Sequence, residues 1–204
     1  MHSVTLPERL RIMHIVFATN NKNKIYEVSR SIGERIKLLS LEEIGCSEEL
    51  PETQATLEGN ALQKARYVFE KYGADCFADD TGLEIAALEG RPGVYSARYA
   101  GEEKNAEHNM KKVLEEMEGK ADRSAKFRTV IALVTGGKEY LFEGAVEGMI
   151  LEKKQGGKGF GYDPIFSPLS NPGISFAQMS IEEKNKISHR GIAVSKLVEF
   201  LAKI

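Results

Sequence analysis

A buried strand followed at once by a helix, near the start of the chain, limits the possible folds more than any other feature of the sequence. Residues 14–19 are apolar and β-branched and end at Asn20-Asn21, a pattern typical of a buried strand. Helical spacing of apolar residues follows over 22–32, and residues 36–39 form a second candidate strand. Strands that alternate with helices predict an α/β fold.

The rest of the chain continues this alternation until a hairpin interrupts it. Further helices are predicted over residues 56–72, 103–117 and 187–204. The further strands are a short one at 76–78 and a hairpin of 125–135 with 138–151. Because a hairpin adds antiparallel pairing to the parallel start, we expect a mixed sheet.

Length and charge exclude several classes of protein. The 204 residues fit one domain, which we expect to span 13–204, with 1–12 as a dispensable extension before the first strand. No apolar run approaches the roughly 18 residues that a membrane helix needs. The formal net charge is −2, so no strong basic field is present to hold duplex nucleic acid. We therefore expect a cytoplasmic protein whose partner is neither a membrane nor a nucleic acid.

Two predicted helices begin with cations, although a helix N-terminus already carries a partial positive charge. Lys22 and Lys24 fall in the first turn after Asn21, and His189 and Arg190 fall in the first turn after Ser188. A bound anion, or another electron-rich acceptor, would make these cations favourable. The alternative is that they are solvated surface side chains.

Asp79 and Asp80 are adjacent carboxylates at the end of a predicted buried strand. Such a pair repels unless a cation or hydrogen bonds neutralise it, and Mg²⁺ prefers oxygen ligands of this kind together with substrate phosphates. The alternative is an Asp-rich turn closed by Thr81-Gly82. With the cationic helix starts, the pair favours a magnesium-bound nucleotide or polyphosphate as substrate.

The segment Gly159-Phe160-Gly161-Tyr162-Asp163-Pro164 sets aromatic side chains between glycines. Flat rings with an accessible backbone suit stacking on a base. The alternative is a β-bulge whose aromatic side chains belong to the core.

Five motifs occur in the order found in one family. They are Thr19-Asn20-Asn21-Lys22-Asn23-Lys24, Ala78-Asp79-Asp80-Thr81-Gly82-Leu83, Pro92 to Tyr99, Gly159 to Phe166, and Glu183-Lys184 with Ser188-His189-Arg190-Gly191. On these residues the chain resembles the inosine/xanthosine triphosphate pyrophosphatases, which remove deaminated purine nucleotides. The resemblance covers nearly all of 13–204, and it departs from the family at Asn20, where glycine is usual.

The resemblance implies an elongated, twisted mixed β-sheet flanked by helices, with two lobes around a central substrate cleft, in a homodimer. It implies hydrolysis of non-standard purine nucleoside triphosphates, ITP, XTP and their deoxy forms, to the monophosphate and pyrophosphate with Mg²⁺. Neither the preferred base nor the preferred sugar follows from it.

The resemblance also assigns site residues. In the catalytic group, Asp80 accepts a proton and binds the metal with Glu52, Asp79 supports Asp80, and Lys64 contacts phosphate. The triphosphate would be held by Thr19, Asn20, Asn21, Lys22, Asn23 and Lys24, and Thr81 would touch the nucleotide. The base would stack on Phe160 in a pocket lined by Gly161, Tyr162 and Asp163. Lys184, His189 and Arg190 would read the edge of the base. The helix start alone suggested a bound anion at His189 and Arg190, and the resemblance places the base there instead.

Two alternatives stay open at this point. A nucleotide-binding module without catalysis would need the lysines and the base pocket but not Glu52, Asp79 and Asp80. The related septum-inhibitor-like pyrophosphatases share the fold and act on other nucleotides, and the motifs at 159–163 and 188–190 argue against them.

Overall fold

Seven strands form one mixed, twisted sheet in residues 12–204, the part of the chain that the computed structural model describes. The strands are β1 (Met13–Phe17), β2 (Ile36–Leu39), β3 (Cys76–Ile85), β4 (Pro92–Gly93), β5 (Ser124–Thr135), β6 (Lys138–Ile150) and β7 (Phe166–Pro168). The α-helices are α1 (Lys22–Ser29), α2 (Leu57–Tyr72), α3 (Ala106–Glu116), α4 (Ile181–Ile187) and α5 (His189–Leu201). The prediction of a dispensable extension concerns residues that lie almost wholly outside the described part, and it stays a prediction, as does the division into two lobes.

The sheet combines a parallel part and an antiparallel part, as predicted. Its strand order is β2-β1-β3-β5-β6-β7, with β4 paired to β3. β1 runs parallel to β2 and β3, and every later pairing is antiparallel. The parallel start follows from the strand–helix–strand order, and the hairpin of β5 and β6 turns at Gly136-Gly137, both with positive φ.

The helix ends carry the caps that the sequence indicates. Thr56 accepts a hydrogen bond from the Gly59 amide at the start of α2, and Gly73 ends it in the left-handed conformation. The predicted helix over 187–204 is shorter, because the extended backbone of Ser188 separates α4 from α5. The sequence analysis missed α4, although Ser180 and Glu183 form the capping box that marks its start.

The prediction for residues 76–82 is wrong in one respect. β3 does not end at Ala78: it continues to Ile85, paired with β5 along its whole length. The alternative of an Asp-rich turn is therefore wrong too, because Asp79 and Asp80 lie in the middle of a strand. Thr81 and Gly82 were typical of a turn, but the ten-residue ladder with β5 outweighs that preference.

Apolar clusters cover both faces of the sheet. One packs α2 against Cys76 and Ala78, and another packs α1 and α5 against Phe77. A third lies around Phe127 and Phe166, under the loops after β3 and β6. No helix in residues 12–204 is both long enough and apolar enough to cross a bilayer.

Because α5 lies close to β6, we expect that adding one methyl group at Gly144 lowers stability strongly. A Cβ at Gly144 would lie 2.0 Å from the His189 carbonyl oxygen and 2.6 Å from the Ala193 amide nitrogen. We expect Gly144→Ala to lower the free energy of unfolding by about 1–3 kcal/mol or more, because backbone atoms must move. Gly157→Ala is the control, since its Cβ would meet nothing within 4 Å. Urea denaturation checks both, and equal stabilities would contradict this packing.

Candidate active site

The alternation of side chains along β3 sends its two adjacent carboxylates to opposite faces of the sheet. Asp80 points to the α2 face with Ala78, and Asp79 points to the α1 and α5 face with Phe77. The repulsion between neighbouring carboxylates is therefore met by two separate sets of partners rather than by one shared cation.

On the α2 face, two side chains contact Asp80, and Glu52 is joined to it through one of them. Asn60 Nδ2 donates to Asp80 Oδ2 at 3.1 Å, and Lys64 Nζ lies 3.4 Å from Asp80 Oδ1. Lys64 Nζ also donates to Glu52 Oε1 at 2.5 Å and to the Asp79 carbonyl oxygen at 2.8 Å. Asn60 and Lys64 are four residues apart on α2, so they share the face that meets Asp80. Lys64 thus links the two carboxylates that the resemblance assigns to a metal.

On the opposite side of the sheet, Asp79 is the anion that pairs with one cation from each of the two helix starts. Lys24 Nζ, in the first turn of α1, donates to Asp79 Oδ1 at 2.8 Å. Arg190 Nε, in the first turn of α5, donates to Asp79 Oδ2 at 3.0 Å. The protein therefore supplies its own anion for Lys24 and Arg190, and the interpretation as solvated surface side chains is wrong for these two cations. It holds for Lys22, which is exposed.

A buried ionic network continues from Asp79 through a residue that the sequence analysis missed. Glu27 on α1 accepts from Lys184 Nζ at 2.6 Å and from Arg190 at 2.5 Å. Lys184 Nζ also donates to Asp163 Oδ2 at 2.5 Å. The only sequence signal for Glu27 is its position beside Val28 on the buried side of α1. Since glutamate is common along this chain, that signal does not distinguish it.

A cavity of about 440 Å³ is lined by residues from both of these sets. It is lined by Glu52, Lys64, Asp80 and the loop after β1 and, further along, by Phe160, Lys184 and Arg190. The Phe160 ring centroid lies 5.2 Å from Lys184 Nζ and 5.4 Å from Arg190 Cζ. Phe160 is half-buried at the cavity wall and does not belong to the core clusters, so the alternative of core aromatics fails for this ring.

His189 is another aromatic side chain that lines the cavity. Its ring stacks on Phe127 with centroids 4.5 Å apart. Among the buried side-chain nitrogen and oxygen atoms of residues 12–204, His189 Nδ1 alone lacks a hydrogen-bond partner. Burial lowers the pKa of His189 well below its usual value, and Arg190 and Lys184 lower it further. His189 is therefore a neutral imidazole with one buried ring nitrogen unpaired.

The structure brings most of the predicted site residues to this one cavity. Those that line it are Thr19, Asn20, Asn21, Asn23, Lys24, Glu52, Lys64, Asp80, Thr81, Phe160, Gly161, Tyr162, Asp163, Lys184, His189 and Arg190. Two do not line it: Lys22 is exposed at the start of α1, and Asp79 is buried beneath Lys24 and Arg190. The direct contact predicted for Lys22 therefore lacks support, and Asp79 can act only through its neighbours.

Asn20 does not need the glycine-like conformation that its place in the motif suggested. In residues 12–204 the non-glycine residues with positive φ are Glu89 and Lys104. The loop after β1 is instead held by Thr19 and Asn21. Thr19 Oγ1 accepts from the Asn21 amide, and Asn21 Oδ1 caps α1. A side chain at position 20 is therefore compatible with this loop.

The ionisation of the site follows from burial and from these pairs. Burial alone raises the pKa of Asp79, but Lys24, Arg190 and Lys64 together bring it well below its usual value. Burial outweighs the nearby lysines at Asp80, whose pKa is raised. Asp79 is thus a permanent anion, whereas Asp80 is the carboxylate with the greater affinity for a proton.

The protein's carboxylates fit a divalent cation only when phosphate oxygens of a substrate complete its ligands. In the described residues no group of three or more His, Cys, Asp and Glu side chains stands close enough to hold a metal ion. Glu52 and Asp80 do converge on one ammonium group, and two carboxylates with substrate phosphates are the usual ligands of Mg²⁺. The residues present therefore fit a magnesium–triphosphate complex rather than a metal bound by protein alone.

The family model described as "Ham1 family" matches residues 15–200. The chain belongs to the Ham1 family. A relative named "dITP/XTP pyrophosphatase" from Flavobacterium johnsoniae is 57% identical over 93% of this chain and 98% of its own length. The solved structure titled "The structure of the Staphylococcus aureus Ham1 protein" has a TM-score of 0.84 and 38% identity, and covers 93% of this chain and 98% of that one. A HAM1 protein from Coxiella burnetii has a TM-score of 0.85 and 38% identity, and covers 94% of this chain and 100% of its own.

Membership in the Ham1 family confirms the resemblance drawn from the five motifs, and the solved relatives confirm the mixed α/β fold. The roles assigned to single residues stay predictions, which the contacts described above make specific.

Proposed function

We propose that this Ham1-family chain is a nucleoside-triphosphate pyrophosphatase. It hydrolyses non-standard purine triphosphates, such as dITP and XTP, between the α- and β-phosphorus. The observation that carries the proposal is the joining, in one cavity, of a carboxylate–lysine group around Asp80 and a ring-and-donor group around Phe160. The name printed for the Flavobacterium johnsoniae relative supports the same activity.

The donors near Phe160 favour a purine with an oxygen at position 6. An ammonium group has three N–H donors, and Lys184 gives two of them to Glu27 and Asp163, which leaves one for a ligand. A 6-oxo group accepts that bond, whereas the 6-amino group of adenine is itself a donor. A buried donor left unpaired costs about 1–3 kcal/mol, so each such group disfavours ATP by about fivefold or more.

The residues around Asp80 would carry out the hydrolysis in another part of the same cavity. Asn60 and Lys64 fix the Asp80 carboxylate, whose raised pKa suits it to take a proton from the attacking water. Lys64 and Lys24 line the same cavity as Asp80, so their N–H donors could face the phosphates of a substrate. A binding module without catalysis has no need of this arrangement.

Mg²⁺ is the cofactor of the proposed reaction, held by Glu52 and Asp80 together with substrate phosphates. When bound, it would neutralise phosphate charge and polarise the phosphorus–oxygen bonds. The homodimer and the cytoplasmic location are supported by the resemblance alone. The absence of a nucleic-acid partner is supported by the near-neutral net charge.

A substrate panel tests this function. Pyrophosphate release is measured with dITP, XTP, ATP and GTP, in Mg²⁺ and in excess EDTA. We expect turnover of dITP and XTP that exceeds turnover of ATP about fivefold or more, and loss of activity in EDTA that added Mg²⁺ restores. Binding of dITP without release of pyrophosphate would favour the module instead.

A further inference from the structure

Lys104 is a cation of the cleft that none of the motifs discussed above includes. It lies just before Asn105, the N-cap of α3, and lines the same cavity as Glu52 and Lys64. Its backbone has φ +52°, a conformation that non-glycine residues adopt uncommonly. The loop therefore holds this residue at the cleft by a backbone shape that its own side chain does not favour.

Four other cations of the cleft are already paired with carboxylates, whereas Arg98, which also lines the cavity, lies over the Tyr95 ring and forms no ion pair within residues 12–204. Lys24, Lys64, Lys184 and Arg190 each form ion pairs with buried or half-buried carboxylates of the site. Those carboxylates are Glu27, Glu52, Asp79, Asp80 and Asp163, five against four cations. With all of them ionised, the cluster has no excess positive charge to offer a triphosphate. Additional positive charge must come from a metal ion or from the rim of the cavity.

Lys104 is a rim cation whose ion pair can be released easily. Its Nζ lies 2.9 Å from Glu49 Oε1, and the two side chains are 45% and 82% exposed. Solvent screens a pair of this kind, so exchanging Glu49 for a phosphate oxygen costs little. Glu49 lines the same cavity, so Lys104 need not leave the cleft to make the exchange.

One further observation places positive charge from this loop at the cavity. α3 begins at Ala106, which also lines the cavity, and the positive end of the helix dipole adds to the lysine.

We propose that Lys104 leaves Glu49 and binds the β- and γ-phosphates of the substrate, as a positioning residue for the pyrophosphate leaving group. This inference rests on the proposed function. Lys104 would lower the KM for a triphosphate without taking part in proton transfer at Asp80.

Three variants separate this role from a structural one. Lys104→Ala removes the cation, and Glu49→Gln breaks the same ion pair but frees Lys104. Lys111→Ala removes a lysine of α3 that pairs with Glu115 and does not line the cavity. We expect Lys104→Ala to raise the KM for dITP about fivefold to tenfold, the scale of one charge-assisted hydrogen bond, with kcat within about twofold. Glu49→Gln should leave KM equal or lower, and Lys111→Ala should leave it unchanged.

Binding without turnover provides the second readout. Calorimetry with tripolyphosphate in Mg²⁺ should show weaker binding to Lys104→Ala, whereas dIMP should bind this variant and the wild type equally. If Glu49→Gln raises KM as much as Lys104→Ala, the ion pair is structural and the inference is wrong. Equal tripolyphosphate affinity in wild type and Lys104→Ala would also overturn it. If the wild type fails to hydrolyse dITP, the proposed function fails, and tripolyphosphate binding still decides the role of Lys104.

Discussion

Asp80→Asn should keep the fold and lower kcat by about 100-fold or more, the scale of a lost general base. The amide cannot accept the proton of the attacking water, although it fills the same space beside Asn60 and Lys64. The fold should persist because burial raises the pKa of Asp80, which means that its ionised form is the costly one in this position. A neutral side chain relieves that cost.

The measurement is kcat for dITP at saturating Mg²⁺, together with the thermal unfolding midpoint. Asn60→Ala is the companion variant, because it removes one donor to Asp80 and leaves the carboxylate, so its loss of kcat should be smaller. Turnover of Asp80→Asn near the wild-type value, with the fold intact, would remove Asp80 from the catalytic role.

Arg190→Ala should have the largest effect on stability of any substitution in the site. Arg190 is 2% exposed and donates to Asp79, Glu27 and Thr81. Its removal leaves two buried carboxylates short of one cation each. Breaking a buried ion pair by removing one partner costs about 3–5 kcal/mol, and we expect the lower end because Lys24 and Lys184 remain.

Arg66→Ala is the matched control. Arg66 likewise donates two hydrogen bonds to carboxylate oxygens, both on Glu139, but the two side chains are 49% and 39% exposed. Such exposed pairs contribute about 0–1 kcal/mol. Urea denaturation of both variants compares the two environments directly. A loss for Arg190→Ala as small as that for Arg66→Ala would mean that the buried network is not a structural element.

Much of the fold follows from local sequence patterns. The strand at 14–19, the helix with Thr56 and Gly73 at its ends, and the hairpin around Gly136-Gly137 depend on periodicity, caps and turn residues, which neighbours in sequence supply. The full length of β3 does not, because its second half is held as a strand by its ladder with β5, some 50 residues away. Nothing local in Asp79-Asp80-Thr81-Gly82 indicates that partner.

The candidate site divides in the same way. The motifs predict which residues gather at the cavity, and membership in the Ham1 family explains why they do so. They do not predict that Asp79 lies beneath other side chains whereas Asp80 lines the cavity, because that depends on which face of the sheet α2 and α5 occupy. Glu27 was missed since its partners, Lys184 and Arg190, are more than 150 residues further along the chain. Pairings at that distance are set by tertiary structure.

Product analysis with dITP in Mg²⁺ tests the central claim most directly. The purified protein is incubated with dITP or ATP in water enriched in ¹⁸O, and the products are separated and their masses are measured by mass spectrometry. We predict dIMP and pyrophosphate from dITP, with the label in dIMP if water attacks the α-phosphorus, and far slower release from ATP. Formation of dIDP and inorganic phosphate, or equal rates with dITP and ATP, would contradict the account.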